Sequence, residues 1–412
     1  MPIAPSSERK DGEGWLLVVD APVVVPDAPA AQPWIEQPIL GLSVVLRLAL
    51  TGQAAGATGV ALSDAAVRRD VKRLLTDPRL RIPVMLETDR PSIVEFRMAT
   101  PSVRVPANTV IHRATITALH ELAHDGEVNL SFSGAPRGAG GPYGFEPMFV
   151  HDEASAKLAE NALLRSLRKT QDGWTSTRLN RHVSLYLTRH LVATRLTPNQ
   201  VSVGILAIGL FGAWLASLGT YGSMLAGAAL FQAQSVLDGC DGEMSRLTFR
   251  GSLTGEWLDT IGDDLTNYAF FAGAAWGLYG STGRPLYLAF GALIVVAGLV
   301  GSGLEYRYLV RIGSGDLLKY PLGIGKASPQ NAAPKSPFAG ALDAISPLFK
   351  RDTFVFLTLI GAALGWLGPF LVLAALGAVG VLAAVIGAEI RMSKERVIAR
   401  RSAQVDPVLP RD

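Results

Sequence analysis

Four aspartates fall in one short stretch of the chain, and they are the side chains best suited to chemistry. Asp238 and Asp241 are three residues apart, and Asp259 and Asp263 are four apart. These spacings place both members of each pair on one face of a helix. Clustered carboxylates repel one another, and hard divalent cations such as Mg²⁺ or Mn²⁺ relieve that repulsion through oxygen ligation. The sequence therefore predicts a metal site that could hold a diphosphate.

Small and basic residues surround these acids. Gly242 and Gly255 present no side chain, which leaves room for a nucleotide to lie against the backbone. Arg246 follows Gly242 by one turn and could reach phosphate oxygens with its guanidinium group. Polar capping of two helix ends is the plain alternative, but capping does not call for four acids and two glycines. Asp264 lies about 100° round the helix from Asp263, which favours a structural hydrogen bond.

The elements that position these residues are apolar helices. A helix needs about 20 apolar residues to cross the hydrocarbon core of a bilayer. Six segments are predicted to span: Asn199–Leu218, Tyr221–Arg246, Gly255–Tyr279, Pro285–Tyr308, Asp352–Trp366 and Pro369–Met392. The acids lie at adjoining ends of the second and third segments, whose short connection makes these helices antiparallel neighbours. Carboxylates at membrane depth are costly unless paired, hydrated or metal-bound, which indicates a functional role.

Basic residues indicate the orientation of the spans. Arg and Lys concentrate before the first segment, after the second and fourth, and after the sixth, whereas the opposite loops contain only Arg284. The positive-inside rule then places both termini in the cytoplasm, in agreement with six spans of an inner (cytoplasmic) membrane. The N-terminal residues lack the apolar region of a secretory signal. A single cysteine, Cys240, fits a reducing compartment.

A soluble region is predicted ahead of the spans, because charged and apolar residues are mixed up to about residue 195 as they are in soluble domains. The 412 residues are also enough for two domains. WLLVVD, ATGVALS and IPVML are typical strands, and residues 42–53 and 64–75 are typical helices, which favours an α/β domain with a largely parallel sheet.

Before the first span, Leu179, Val183, Leu187 and Leu191 share one helical face, which indicates an amphipathic helix at the membrane interface, with a linker helix as the alternative.

The predicted fold class is thus an α-helical integral membrane domain of six spans preceded by a soluble α/β domain. We divide the chain into a disordered N-terminus at 1–13, a soluble α/β domain at 14–150, a linker and interfacial helix at 151–197, a six-helix membrane domain at 198–395, and a basic tail at 396–412.

The acidic stretch resembles the motif D-x2-D-G-x2-A-R-x8-G-x3-D-x3-D of the CDP-alcohol phosphotransferases, also called CDP-alcohol phosphatidyltransferases. Every defined position matches except that Ser245 stands where alanine is usual, and serine is nearly isosteric. The six predicted spans and the amphipathic lead-in helix resemble that family over about residues 175–395.

The resemblance implies an activity and a role for each motif residue. The enzyme would move a substituted phosphate from a CDP-alcohol, of the CDP-diacylglycerol or CDP-inositol type, to an acceptor hydroxyl with release of CMP. Two Mg²⁺ or Mn²⁺ ions would bind Asp238, Asp241 and Asp259. Asp263 would be the base, with some metal contact. The CDP site would be lined by Gly242, Ser245, Arg246 and Gly255. Family members are commonly homodimers, and no nucleic-acid partner is expected.

The acceptor site is less clear from the residues. Arg307 and Arg391, with Lys350 and Arg351, could bind an anionic acceptor such as an inositol phosphate or a glycerol phosphate. The positive-inside rule alone would also place basic residues at these helix ends.

The N-terminal region resembles a nucleotidyltransferase-type domain, in the layout of the two-domain di-myo-inositol phosphate phosphate synthase-type enzymes. Active relatives have a glycine-rich loop with a basic residue after the first strand, whereas WLLVVD runs into Ala21-Pro22-Val23. We therefore expect a degenerate domain without cytidylyltransferase activity. Two alternatives stay open: a bifunctional enzyme with an active cytidylyltransferase domain, and a non-catalytic membrane protein whose acids hold a structural metal.

Overall fold

The computed structural model describes residues 14–23, 32–63, 76–86, 101–123, 127–130, 145–168, 180–322 and 351–405. The chain forms two compact units. The first comprises residues 1–168, 189–194 and 246–250, and the second comprises residues 169–188, 195–245 and 251–412. The N-terminus predicted to be disordered and the helix predicted at 64–75 lie outside the described residues.

A five-stranded parallel sheet is the centre of the first unit. Its strands are β1 (Leu16–Asp20), β4 (Gly59–Leu62), β5 (Val84–Leu86), β6 (Ser102–Pro106) and β8 (Glu127–Asn129), in the spatial order β5-β4-β1-β6-β8. Leu17 of the central strand pairs with Val60 on one side and Val103 on the other. Continuous apolar runs such as LLVV suit a strand buried on both faces. The predicted α/β architecture with a parallel sheet is confirmed.

Helices and short strands complete this unit. The helices are α1 (Gln32–Glu36), α2 (Val44–Ala54), α3 (Arg113–Ala123) and α4 (Glu153–Ser166), and two-residue strands pair β2 (Pro38–Ile39) with β3 (Leu42–Ser43) and β7 (Thr109–Val110) with β9 (Met148–Phe149). Side chains from α2 and α3, such as Leu48 and Ile116, pack against Val19 and Val105 of the sheet. The helix predicted at 42–53 is therefore present as α2.

The second unit is helical in the described residues. Its helices are α5 (Arg181–Leu191), α6 (Pro198–Ser217), α7 (Tyr221–Thr248), α8 (Leu253–Thr282), α9 (Leu286–Ile312), α10 (Arg351–Ala363) and α11 (Leu367–Val405), with a 3₁₀ turn at Leu317–Lys319. The last three residues of α5 and of α7 are counted with the first unit. Thr197 caps α6, and its side chain accepts a hydrogen bond from the backbone of Gln200, with Pro198 in the first turn. Each of the six predicted segments falls largely within one helix of this unit.

Three of these helices are long and apolar enough to cross a membrane by length and composition: α6, α9, and residues Leu367–Val397 of α11. Helices α7 and α8 have 28 and 30 residues, but they carry the acidic motif, which lowers their hydropathy. The described part of α10 has only 13 residues. Composition therefore supports three spans directly, whereas six were predicted.

Close packing of small residues positions the motif helices. A Cβ atom added to Gly277 of α8 would collide with the carbonyl oxygen of Ala216 in α6. Such contacts between small residues let helix backbones approach closely. Phe231 of α7 stacks on Phe270 of α8, with ring centroids 4.3 Å apart. Both rings are fully buried, and their stacking packs the two motif-bearing helices against each other.

Candidate active site

Three of the four motif aspartates converge. Asp238 on α7 and Asp259 and Asp263 on α8 each offer a carboxylate oxygen, and these oxygens all lie within 4.8 Å of one another. We call these three residues the acid cluster. A set of carboxylate oxygens drawn from two adjacent helices is the donor chemistry that suits Mg²⁺ or Mn²⁺. The residues therefore fit the metal that the sequence predicts.

Asp241 points to a different partner. Its carboxylate accepts a very short hydrogen bond from the hydroxyl of Ser202 on α6, and its Oδ1 accepts one from the backbone N–H of Gly242 at 2.5 Å. The side chain is buried. Asp241 follows Asp238 by three residues on α7, but it is not one of the three acids whose oxygens converge.

Arg351 at the start of α10 is bonded to the acid cluster. Its Nη1 donates to Oδ2 of Asp263 at 2.8 Å and to Oδ2 of Asp238 at 3.2 Å. Its Nη2 donates to Oε1 of Gln234 at 3.1 Å, and Gln234 Nε2 donates to Oδ1 of Asp263 at 3.4 Å. The guanidinium group thus offsets part of the negative charge and holds two carboxylates in place. The sequence predicts Arg351 only as a candidate acceptor contact.

Asp264 faces away from the acid cluster. Its Oδ2 accepts hydrogen bonds from the hydroxyls of Ser302 and Tyr306 on α9, at 2.5 and 2.7 Å. The predicted structural hydrogen bond is therefore present. Beside it, α8, α9, α10 and α11 line an open cavity of about 260 Å³ with mostly apolar walls. Asp264, Ser302, Glu305 and Arg351 are among its polar lining residues, so Arg351 borders both the cavity and the acid cluster.

The helical part of the chain is similar to a known protein family. Residues 195–386 match the model of the CDP-alcohol phosphatidyltransferase family. The matched range is just under half of the chain, and this part of the chain is similar to that family. The acid cluster, Asp241 and Arg351 all lie inside the matched range.

Curated relatives cover a smaller share of the chain. Proteins of Aquifex aeolicus and Thermococcus kodakarensis, each named bifunctional IPC transferase and DIPP synthase, are 35% identical over 133 and 145 residues. These stretches are 32% and 35% of this chain and 30% and 32% of the relatives. The match therefore spans about a third of the length of those relatives.

Solved structures of a Mycobacterium tuberculosis phosphatidylinositol phosphate synthase are also similar. The structure with CDP-DAG bound has 18% identity and a TM-score of 0.37, covering 50% of this chain and 93% of that chain. The structure with manganese and citrate has 21% identity and a TM-score of 0.36, covering 50% and 88%.

The predicted nucleotide contacts lie at the adjoining ends of α7 and α8. Arg246 is exposed in the last turn of α7, and Ser245 is partly buried beside it. Gly255 lies in the first turn of α8, where its N–H donates to the hydroxyl of Ser252 at 3.0 Å. A Cβ atom on Gly255 would lie 3.0 Å from Oδ1 of Asn199, so the Asn199 side chain would have to shift by a few tenths of an ångström to admit it. Gly242 follows Asp241 directly in α7.

The predicted acceptor residues have local partners. Arg307 Nη2 donates to Glu389 at 3.1 Å in an ion pair between α9 and α11. Arg391 Nη2 donates to the carbonyl oxygen of Leu322 at 2.8 Å. Both arginines are exposed. Lys350 lies outside the described residues.

Proposed function

We propose that this protein is a membrane enzyme that transfers a substituted phosphate group from a CDP-alcohol to the hydroxyl of a second alcohol and releases CMP. The acid cluster carries the proposal: three carboxylates from two neighbouring helices lie within 4.8 Å of one another inside the matched range. A divalent cation held there would neutralise the diphosphate and the CMP leaving group. Asp238, Asp241 and Asp259 are the proposed metal ligands, for two Mg²⁺ or Mn²⁺ ions.

Asp263 is the proposed base. Its carboxylate takes the proton of the acceptor hydroxyl as the acceptor oxygen bonds to the phosphorus atom that carries the donor alcohol. The bond from that phosphorus to the CMP oxygen breaks, and CMP leaves with the electron pair. Arg351 and Gln234 hydrogen-bond Asp263, which supports the role because a base must be held in one orientation. Asp263 also belongs to the acid cluster, so it would share in metal contact.

The other site residues have positioning roles in this proposal. Gly242, Ser245, Arg246 and Gly255 would line the CDP moiety. Arg307 and Arg391 would bind an anionic acceptor, and Arg307 would exchange its ion pair with Glu389 for the ligand. The donor alcohol is of the CDP-diacylglycerol or CDP-inositol type, which places the reaction in phospholipid or inositol-phosphodiester synthesis.

We infer an inner-membrane protein with six spans, cytoplasmic termini and a homodimeric assembly. Many large apolar side chains of the second unit are exposed, and Val310 and Leu376 are each 67% exposed, which suits lipid contact. On α5, Val183 and Tyr186 are also exposed, and this supports a helix that lies at the membrane interface. No nucleic-acid partner is proposed.

The first unit is proposed to be a degenerate nucleotidyltransferase-like domain. A second candidate is an active cytidylyltransferase that makes the donor, and the word bifunctional in the names of the relatives favours it. Against it, β1 ends at Asp20 and runs into Ala21 and Pro22, which have no glycine or basic residue to hold a triphosphate.

A CMP-release screen tests the proposed function. Purified protein in detergent or vesicles is supplied with Mg²⁺ or Mn²⁺ and with CDP-diacylglycerol or CDP-inositol, against inositol, inositol phosphate, glycerol phosphate and serine. CMP release that needs donor, acceptor and metal together supports the proposal. Absence of CMP with every pair would reject it and would favour a non-catalytic protein.

A further inference from the structure

The side of α7 opposite the proposed metal ligands buries a charge that the mechanism above does not use. Glu243 lies at an unspecified position of the motif, and its side chain is completely buried. Its Oε1 accepts hydrogen bonds from Arg181 Nη1 at 2.5 Å and from the hydroxyl of Ser184 at 2.8 Å. Its Oε2 accepts one from the hydroxyl of Thr188 at 2.7 Å. All three donors belong to α5.

Three of the four side chains that α5 buries are polar, and the fourth is Leu185. Arg181, Ser184 and Thr188 repeat at helical spacing and are all buried. Two further contacts lie on the same side of α7. Gln232 Nε2 donates to Oδ1 of Asn180, the residue before α5, at 3.3 Å, and Sγ of Cys240 donates to the carbonyl oxygen of Ser184 at 3.6 Å. The buried face of this amphipathic helix is therefore built to hold one carboxylate.

Glu243 and the motif acids point in different directions from the same helix. At about 100° per residue, Glu243 lies about 200° round α7 from Asp241 and about 140° from Asp238. A rotation of α7 about its axis would break the Glu243 contacts and displace the acids together. Side-chain tips lie about 5–6 Å from a helix axis, so a rotation of about 10° moves them by about 1 Å.

We propose that Glu243, held by Arg181, Ser184 and Thr188, is a positioning residue that sets the rotation of α7 and so aims Asp238 and Asp241 at the metal site. The proposal rests on the proposed function. Misplacement by 1 Å in an active site can lower turnover about 100-fold, so a fixed rotation has direct consequences for the reaction. On the side of α7 that carries Asp241, the hydrogen bond from Ser202 to Asp241 also opposes rotation of this helix.

The chemistry of the contact favours positioning over stability. Burying an ion pair costs desolvation, and well-packed apolar replacements of a buried pair are often neutral or stabilising. Three donors at fixed angles around one carboxylate permit a single arrangement, whereas apolar side chains can slide past each other. A variant that replaces both charged partners with apolar residues should therefore keep its fold and lose the positioning of the acids.

The test is the double variant Arg181→Met/Glu243→Leu in the full-length protein. Its matched control is Lys157→Met/Glu153→Leu, which removes an exposed ion pair of 2.6 Å on α4 by the same kinds of replacement. The measurements are the melting temperature, Mn²⁺ affinity by electron paramagnetic resonance, and kcat and donor KM for CMP release. We expect Arg181→Met/Glu243→Leu to melt within a few degrees of the parent and to bind Mn²⁺ about tenfold more weakly. Its kcat should fall about 10- to 100-fold, whereas the donor KM should change less than about threefold. The control should match the parent in all of these.

Glu243→Gln provides a second, milder variant, because it keeps the size of the side chain and a carbonyl acceptor. It should recover Mn²⁺ affinity and kcat to values between those of the double variant and the parent, and it serves as the test if the double variant does not fold. Mn²⁺ affinity equal to the parent in a folded variant would overturn the positioning role. A parent that binds Mn²⁺ but releases no CMP counts against the proposed function alone, and the affinity ratio still decides the role of Glu243.

Discussion

Arg351 lies 2.8 Å from Asp263, with Nη1 donating to Oδ2, across 88 positions of the chain. The same nitrogen reaches Asp238 at 3.2 Å, so one guanidinium group bridges acids from α7 and α8. Helix α10 is thereby joined to the acid cluster through a charged contact. Arg351 is therefore part of the site, and substitution of Arg351 tests its role.

Arg351→Met should lower CMP release about 10- to 100-fold, because Asp263 loses the partner that fixes its orientation. Arg351→Lys should recover only part of the loss, since an ammonium group cannot reproduce the planar fork of donors. Initial rates at saturating metal and donor check this. The matched control is Arg311→Met, an exposed arginine in the last turn of α9. Equal losses in Arg311→Met and Arg351→Met would show that the effect is not specific to the site.

Asp263→Asn should abolish CMP release while nucleotide binding persists, because the amide cannot take the proton of the acceptor. Isothermal titration with CMP or CDP-alcohol in the presence of Mn²⁺ measures the binding. The neighbouring variant Asp264→Asn is the control, because it weakens the hydrogen bonds from Ser302 and Tyr306 without removing the proposed base. It should lower the melting temperature while most of the turnover is kept. Turnover by Asp263→Asn at the parental rate would reject Asp263 as the base.

Asp259→Asn should raise the Mn²⁺ concentration needed for half-maximal activity at least about tenfold, because the acid cluster loses one of its charged ligands. Asp259 is exposed, so the protein should remain folded. Rates across a Mn²⁺ titration give the constant, and chelation by EDTA should stop the parent reaction until Mg²⁺ or Mn²⁺ is restored. An unchanged titration curve in Asp259→Asn would remove this residue from the metal site.

The sequence alone predicts the acid cluster because its members are close in the chain. Asp238 and the pair Asp259 and Asp263 lie on two helices joined by a short connection, and helical periodicity gives their faces directly. Asp241 shares that periodicity, yet its hydrogen bond with Ser202 depends on how α6 packs, which spacing does not reveal.

Contacts between distant residues account for what the sequence did not reveal. Nothing local to Arg351 distinguishes it from the basic residues that the positive-inside rule places at helix ends. The apolar stripe of α5 was visible, but its opposite face looked like an ordinary polar surface. Only the packed structure shows that Arg181, Ser184 and Thr188 surround Glu243. Hydropathy likewise does not give the number of spans, because the motif acids lower the hydropathy of α7 and α8. Among the described residues, three helices are apolar enough to span a membrane.

The first unit should show no cytidylyltransferase activity. The segment after β1 lacks a glycine and a basic residue, and it is held by hydrogen bonds: Val23 N donates to Oδ1 of Asn108 at 2.9 Å, and Asn108 Nδ2 donates back to Val23 O at 3.2 Å. Asp20 at the end of β1 is paired with Arg104 at 2.9 Å. A triphosphate would therefore meet neither free backbone N–H groups at Val23 nor an added positive charge from this segment.

Full-length protein with CTP, Mg²⁺ and an alcohol phosphate such as inositol phosphate should release pyrophosphate no faster than a sample without the alcohol phosphate. CMP release from a supplied CDP-alcohol by the same preparation is the control for a folded protein. Pyrophosphate release that requires both CTP and the alcohol phosphate would contradict this prediction. Such a result would show that this domain holds a triphosphate through residues other than those following β1, and the bifunctional alternative would then replace the degenerate one.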